Sequence, residues 1–166
     1  MNLNTLRIIN ILFFYIVWWV TVGTISLGLN FIPPVITSLI IILHLYIISE
    51  PKKEIIFLVG CATIGLFIEL IYLNSNFLSY YGYYIFSNQF PPIWTICMWI
   101  SLAITINHSM VFLKNRWLLI IFLGIIFGPI CYLSLMKLNV IQLNYNFEVS
   151  LIILSVISSI SLILMY

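Results

Sequence analysis

The sequence predicts an all-α fold, a single integral membrane domain over residues 1–166 that forms a polytopic bundle of about six transmembrane helices. Two observations predict it: the composition and the length of the apolar segments. The chain is 64% hydrophobic and 6% charged, and its mean hydropathy is +1.23, whereas soluble domains carry about 25% charged residues. Six basic and four acidic side chains cannot make this chain water-soluble. Lipid must therefore contact most of its surface.

Six segments approach the roughly 20 apolar residues that a membrane helix needs. They cover about residues 8–29, 31–49, 55–73, 91–113, 117–136 and 149–166. Arg7 before the first segment resembles the start of a signal peptide. However, the apolar run is too long and contains Trp18 and Trp19, so we interpret it as a retained helix. If the second or the last segment lay at the membrane surface, the bundle would have five spans.

The connections between the predicted helices differ in length. Residues 49–54 form a charged connection and residues 114–116 a tight one. Pro33-Pro34 and Pro91-Pro92 suit the first turns of helices two and four, where a missing N–H is tolerated.

Two longer connections cover residues 74–90 and 136–148. The first groups tyrosines around Gly82: Tyr80, Tyr81, Tyr83 and Tyr84. Because aromatic rings with a polar tip favour the lipid–water interface, we expect a loop or a short helix lying on the membrane.

The basic residues predict an N-terminus in the cytoplasm. With six spans, five basic residues fall on the cytoplasmic side: Arg7, Lys52, Lys53, Lys114 and Arg116. Only Lys137 falls outside. This asymmetry is the one that the positive-inside rule describes. The net charge of +2 comes without a continuous basic patch, which argues against nucleic acid as a partner.

Three ionisable residues lie inside the predicted helices, at His44, Glu69 and His108. Such residues are costly in a membrane and tend to mark function. Glu69 is the candidate catalytic residue, since it could carry a proton, contact a lipid headgroup or act as an acid. The alternative is a structural Glu69 that is hydrogen-bonded to Tyr or Trp near the outer interface.

His44 and His108 are predicted at the same depth, roughly 7–9 Å from the inner boundary, whereas Glu69 lies roughly 20 Å from it. The candidates for ligand binding are the two histidines and three aromatic residues: His44, His108, Trp94, Trp99 and Tyr132. Two histidines from different helices could hold a haem or a metal ion. The alternative is a pair of hydrogen-bonded packing residues, and we predict neither a cofactor nor a metal site.

Small residues mark the predicted helix contacts. Gly124 and Gly128 form a G-x-x-x-G pattern that lets two helices approach closely. Pro129 follows directly and would kink the helix, so a broken helix lining a transporter cavity is the alternative. Cys61, Cys97 and Cys131 lie in separate apolar segments and are expected to pack as small hydrophobic residues.

The order of several landmarks resembles an uncharacterised family of bacterial inner-membrane proteins, catalogued as a domain of unknown function. The landmarks are Asn10, Trp18, His44, Gly65, Glu69, Gly82, Pro92-x-Trp94, Trp99 and Gly124-x-x-x-Gly128-Pro129-x-x-Tyr132. The chain departs from that pattern at Glu69, where Asp is expected, and after Tyr132, where small glycine-rich residues are expected. The resemblance implies a bacterial inner-membrane location and no particular reaction.

We therefore predict an integral inner-membrane protein that acts as an accessory or lipid-binding module. Membrane lipids are the expected partners, with a homo-oligomer or a membrane-protein partner as further options. Two alternatives stay open: a small lipid- or isoprenoid-processing enzyme that uses Glu69 or the histidines as acid/base groups, and a small oligomeric transporter. The sequence does not decide whether the protein is an enzyme.

Overall fold

The computed structural model describes residues 3–82 and 89–166, and these residues form an all-α bundle. Its helices are α1 (Leu3–Ile25), α2 (Ile32–Ile47), α3 (Pro51–Asn74), α4 (Ile93–His108), α5 (Trp117–Lys137) and α6 (Phe147–Met165). A short 3-10 helix, η1 (Val111–Leu113), follows α4. All six helices match the predicted segments, with shifts of one to five residues at most of their ends.

Four of the helices, α1, α3, α5 and α6, are long and apolar enough to cross a membrane. Only 22–33% of the most apolar 18-residue stretch of each of these helices is buried inside the protein. Large apolar side chains face outward instead, and Leu118 on α5 is 85% exposed. A soluble protein rarely exposes so large an apolar surface. The outward face of the bundle therefore suits lipid.

Helices α2 and α4 are shorter, with 16 residues each. At 1.5 Å per residue they measure about 24 Å, less than the roughly 30 Å hydrocarbon core of a bilayer. Both nevertheless run between the same two ends of the bundle as the longer helices. The two prolines of α2 occupy its first turn as predicted, whereas α4 begins just after Pro92.

Five of the six basic residues lie at one end of the bundle, which we call the basic end. Helices α1, α3 and α5 begin there, and α2, α4 and α6 end there. Two hydrogen bonds join these termini: the Ser109 hydroxyl donates to the carbonyl of Arg7 at 2.8 Å, and the Tyr166 hydroxyl donates to the carbonyl of Met110 at 3.0 Å. Lys137 lies at the opposite end.

The two long connections pair with each other at the opposite end. Strand β1 (Leu78–Tyr80) is antiparallel to strand β2 (Ile141–Leu143). The prediction of a loop or short helix was therefore wrong for residues 78–80. Three-residue strands are too short to show a period in the sequence, and the partner lies some 60 positions away. The part of the tyrosine-rich prediction that concerns Tyr83 and Tyr84 lies outside the described residues.

Helix α3 begins at Pro51, four residues earlier than predicted, so its first turn includes part of the expected charged connection. Pro51 suits that first turn, and Lys and Glu are good helix formers. The side chain of Glu54 consequently points into the bundle and is only 4% exposed. Helix α4, in turn, ends at His108 instead of continuing to residue 113.

Glycines permit the closest helix contacts. A Cβ atom on Gly124 of α5 would lie 2.5 Å from the Cα atom of Ser159 on α6, and one on Gly128 would meet the side chain of Ser158. The predicted G-x-x-x-G pattern thus lies at the α5–α6 contact. Helix α5 continues through Pro129. On α3, Gly65 makes room for the indole of Trp99.

Candidate functional site

Two groups of polar side chains are buried near opposite ends of α3. The first, the His44–Glu54–His108 cluster, lies at the basic end. The second, the Glu69 cluster, contains Glu69, Tyr80, Trp99 and Tyr132 near the opposite end. Glu54 and Glu69 are about four helical turns apart, or roughly 22 Å.

Glu54 is the centre of the first cluster, and His44 is its nearest partner. Nε2 of His44 lies 3.0 Å from Oε1 of Glu54. Nδ1 of the same ring lies 3.0 Å from Oδ1 of Asn10 on α1. His44 is fully buried. Both ring nitrogens of His44 are thus engaged, one with each neighbouring helix.

His108 approaches the same carboxylate oxygen from α4. Its Nε2 atom lies 3.1 Å from Oε1 of Glu54, but the direction does not suit a hydrogen bond, and this buried nitrogen has no other partner among the described residues. The rings of His44 and His108 are in edge-to-face contact, with centroids 4.9 Å apart. The amide of Asn107 donates to the other oxygen, Oε2, at 2.6 Å.

The proton arrangement of this cluster follows from the contact with Asn10. In the tautomer of His44 that carries its proton on Nδ1, this nitrogen donates to the amide oxygen of Asn10. The contact between Nε2 of His44 and Glu54 then needs a further proton, on the ring or on the carboxyl group. With Nε2 of His108, three atoms that can offer lone pairs converge on one small space. Such an arrangement can hold a proton or a metal ion.

The three possible ligand atoms of the cluster lie within 4.8 Å of one another. This geometry does not fit a haem, the cofactor considered from the sequence. Two axial histidines would have to stand on opposite sides of the porphyrin plane. Here the rings of His44 and His108 touch, and both Nε2 atoms face the same oxygen of Glu54, so no haem plane can lie between them.

The Glu69 cluster joins three elements to α3. Oε1 of Glu69 accepts hydrogen bonds from Nε1 of Trp99 and from the hydroxyl of Tyr132, both at 2.9 Å. Oε2 accepts a hydrogen bond from the hydroxyl of Tyr80 on β1. Glu69 is 3% exposed. These contacts with Tyr and Trp are the ones that the structural alternative for Glu69 predicts.

The five side chains predicted to bind a ligand thus divide between different places. His44 and His108 meet at Glu54, while Trp99 and Tyr132 meet at Glu69. Trp94 belongs to neither cluster, since its Nε1 atom donates to the carbonyl of Tyr81 at 3.1 Å. Next to the Glu69 cluster, the hydroxyl of Tyr72 is buried with no hydrogen bond to the described part of the chain.

Glu54 is the residue that sequence reasoning missed. It stands in the run Pro51-Lys-Lys-Glu54, which suggests a solvated turn. One signal could have revealed it: Leu58, Cys61 and Gly65 follow at positions four, seven and eleven, and all are buried. This spacing is that of one helix face, which extends back to Glu54.

Residues 7–164 match the model of a protein family described as "Protein of unknown function (DUF2878)". The chain therefore belongs to this family. No curated protein and no solved structure matches the chain.

Proposed function

We propose that this member of a family of unknown function is a lipid-binding module of the bacterial inner membrane, which binds the anionic headgroup of a phospholipid at its basic end. One observation carries the proposal. A depression of about 180 Å³ opens at the basic end between α3, α4, η1 and the end of α6. Its lining residues are Phe57, Ile106, Asn107, Val111, Lys114, Met165 and Tyr166.

The lining of this depression is amphipathic, as a lipid is. Phe57, Ile106 and Met165 supply apolar walls, while Lys114 and Asn107 supply an ammonium group and an amide. The depression is smaller than the roughly 300–1,000 Å³ of a pocket that encloses a whole ligand. A headgroup would fill it, and the acyl chains would continue along the apolar surface of the bundle.

The charge at this end favours an anionic headgroup. Arg7, Lys52, Lys53 and Arg116 lie at the same end as Lys114. By the positive-inside rule this end faces the cytoplasm, where anionic lipids attract basic residues by about 1 kcal/mol each. A zwitterionic or uncharged lipid would lack this contribution.

A shared residue connects the depression to the buried cluster. Asn107 is exposed in the depression, and its amide donates to Glu54. A headgroup bound beside Asn107 would therefore lie next to the His44–Glu54–His108 cluster. Asn107 would therefore contact both the headgroup and Glu54.

The test compares lipid retention by Lys114→Gln with that of Lys137→Gln, a matched loss of one charge at the opposite end. The purified proteins are incubated in mild detergent with equal amounts of phosphatidylglycerol and phosphatidylethanolamine, and bound lipid is counted by native mass spectrometry. We expect the unaltered protein and Lys137→Gln to retain phosphatidylglycerol. Lys114→Gln should retain about fivefold less, the equivalent of ~1 kcal/mol. Equal retention by all three, or no preference for the anionic lipid, would refute the proposal.

A further inference from the structure

We propose that Nε2 of His44, Oε1 of Glu54 and Nε2 of His108 bind one divalent transition-metal ion, and that Zn²⁺ is the ion that suits them. This proposal does not require the lipid proposal to hold, because all three ligand atoms belong to side chains inside the bundle. It also differs from the haem option, since Glu54 supplies one of the three ligand atoms.

The distances are close to those of a metal centre. Zinc binds imidazole nitrogen and carboxylate oxygen at about 2.0–2.2 Å, so tetrahedral ligands lie roughly 3.3–3.6 Å from one another. In the structure, Oε1 of Glu54 lies 3.0 Å from Nε2 of His44 and 3.1 Å from Nε2 of His108. All three atoms lie within 4.8 Å of one another, and the side chains would close around the ion until each pair reaches the tetrahedral spacing.

The ligand types select the class of ion. Two imidazoles and one carboxylate suit zinc and its transition-metal neighbours, whereas Mg²⁺ and Ca²⁺ prefer sites made of oxygen. Two histidines and one glutamate also form the ligand set of zinc sites that leave a fourth position for water or substrate. The set here thus resembles an open site more than a closed structural one.

Outer hydrogen bonds already orient two of the ligands. The bond from Nδ1 of His44 to Asn10 leaves Nε2 as the metal-binding nitrogen, provided that Nε2 is deprotonated. The bond from Asn107 to Oε2 of Glu54 leaves Oε1 turned toward the histidines. Metal ligands in proteins are characteristically held by such partners.

The surroundings of His108 also favour an ion at this place. Nε2 of His108 is buried and makes no hydrogen bond within residues 3–82 and 89–166, although the ring is mostly enclosed. Its nearest polar neighbour is Oε1 of Glu54, at 3.1 Å. A metal ion between His108 and Glu54 would satisfy this nitrogen and would balance the carboxylate in an apolar surrounding.

The ion also has a short route to the site. Asn107 is both exposed and bonded to Glu54, so the cluster lies one side chain away from the depression at the basic end. Entry from that side would not require the ion to cross the apolar middle of the bundle.

The experiment uses the whole purified protein in lipid-free detergent, stripped with a chelator and then titrated with Zn²⁺ or Co²⁺. We expect one ion per chain by elemental analysis, the intense visible absorption of four-coordinate Co²⁺, and a rise in melting temperature with Zn²⁺. Glu54→Gln and His108→Gln should each weaken binding by at least about 100-fold, because each removes a ligand. Glu69→Gln, a buried acid on the same helix outside the site, should bind like the unaltered protein.

Each outcome of the metal titration either supports or overturns the proposed site. Binding that is lost in His108→Gln and retained in Glu69→Gln supports it, and His108→Gln serves this purpose even if Glu54→Gln does not fold. Two outcomes overturn it: no stoichiometric binding by the unaltered protein, or undiminished binding by His108→Gln. Because no lipid is present, neither outcome bears on headgroup binding.

Discussion

The two buried acids of α3 differ in what surrounds them. Glu54 has two histidines and one amide as neighbours, whereas Glu69 accepts hydrogen bonds from Trp99, Tyr132 and Tyr80. The neighbours of Glu54 can share a proton or a metal ion with it. The neighbours of Glu69 are two hydroxyl groups and one indole N–H that donate hydrogen bonds to it and hold it in place. These surroundings lead us to propose a functional role for Glu54 and a structural role for Glu69.

This assignment predicts a large loss of stability when Glu69 is replaced by an apolar residue. Glu69→Leu removes the acceptors of three largely buried donors, each of which costs about 1–3 kcal/mol when left unpaired. We expect the free energy of unfolding to fall by about 3 kcal/mol or more, as measured by denaturant titration in mixed micelles. Glu148→Leu, an exposed acid at the start of α6, is the control and should change it by less than about 0.5 kcal/mol. Equal effects of the two substitutions would show that the hydrogen bonds of Glu69 do not stabilise the fold.

At the scale of elements, the contact between α5 and α6 depends on the absence of side chains at two positions. A Cβ atom at Gly124 would lie 2.5 Å from the backbone of Ser159, a distance that only separation of the helices can relieve. The hydroxyl of Ser159 also donates to the carbonyl of Ile121 at 3.1 Å, so the two helices share a polar contact next to the glycine. Small residues with such contacts are the usual means of close helix packing in membranes.

Two glycine substitutions should consequently change the stability of the protein in opposite directions. Gly124→Ala is expected to destabilise the protein by about 1–3 kcal/mol, the range for overpacking of a tight contact. Gly60→Ala, on the lipid-facing side of α3 with no atom within 4 Å of the added Cβ, should stabilise it by up to about 1 kcal/mol, because alanine favours the helix. The melting temperatures of both variants in one detergent provide the measurement. An unchanged or raised melting temperature of Gly124→Ala would contradict the close packing at Gly124.

How far the sequence predicts these elements depends on the range of the interactions. The helices are predictable because an apolar run of sufficient length is a local property. The equal depth of His44 and His108 follows from counting residues along two helices, and the structure brings their rings into contact. Counting residues gives the depth of a side chain but not the direction in which it points from the helix axis. The inward orientation of the Glu54 side chain was therefore not predicted.

The β1–β2 pairing and the contact of Tyr80 with Glu69 depend on where a connection folds back. No local sequence pattern predicts where a connection folds back. The aromatic contacts of Glu69 were foreseen only as a residue type, Tyr or Trp. Their identity required the three-dimensional arrangement of α4, α5 and β1.

At the scale of the whole molecule, the distribution of charge predicts an orientation in the membrane. With five basic residues at one end and Lys137 at the other, the positive-inside rule predicts that the basic end faces the cytoplasm. The same orientation places the depression at Lys114 and the His44–Glu54–His108 cluster on the cytoplasmic side. Metal ions and anionic headgroups would then reach the protein from that compartment.

Cysteine labelling in intact cells tests this orientation and the spanning of the two 16-residue helices together. In a background without Cys61, Cys97 and Cys131, which are free thiols, single cysteines replace Leu27, Lys53 or Lys137. A membrane-impermeant maleimide should label Leu27→Cys and Lys137→Cys directly, and Lys53→Cys only after permeabilisation. The reverse pattern would invert the molecule and separate the basic end from the cytoplasm. Labelling of Leu27→Cys and Lys53→Cys from the same side would show that α2 does not cross the bilayer, and labelling of Lys53→Cys and Lys137→Cys from the same side would show this for α4. Either result would contradict the topology on which the polar clusters depend, because α2 carries His44 and α4 carries His108 and Trp99.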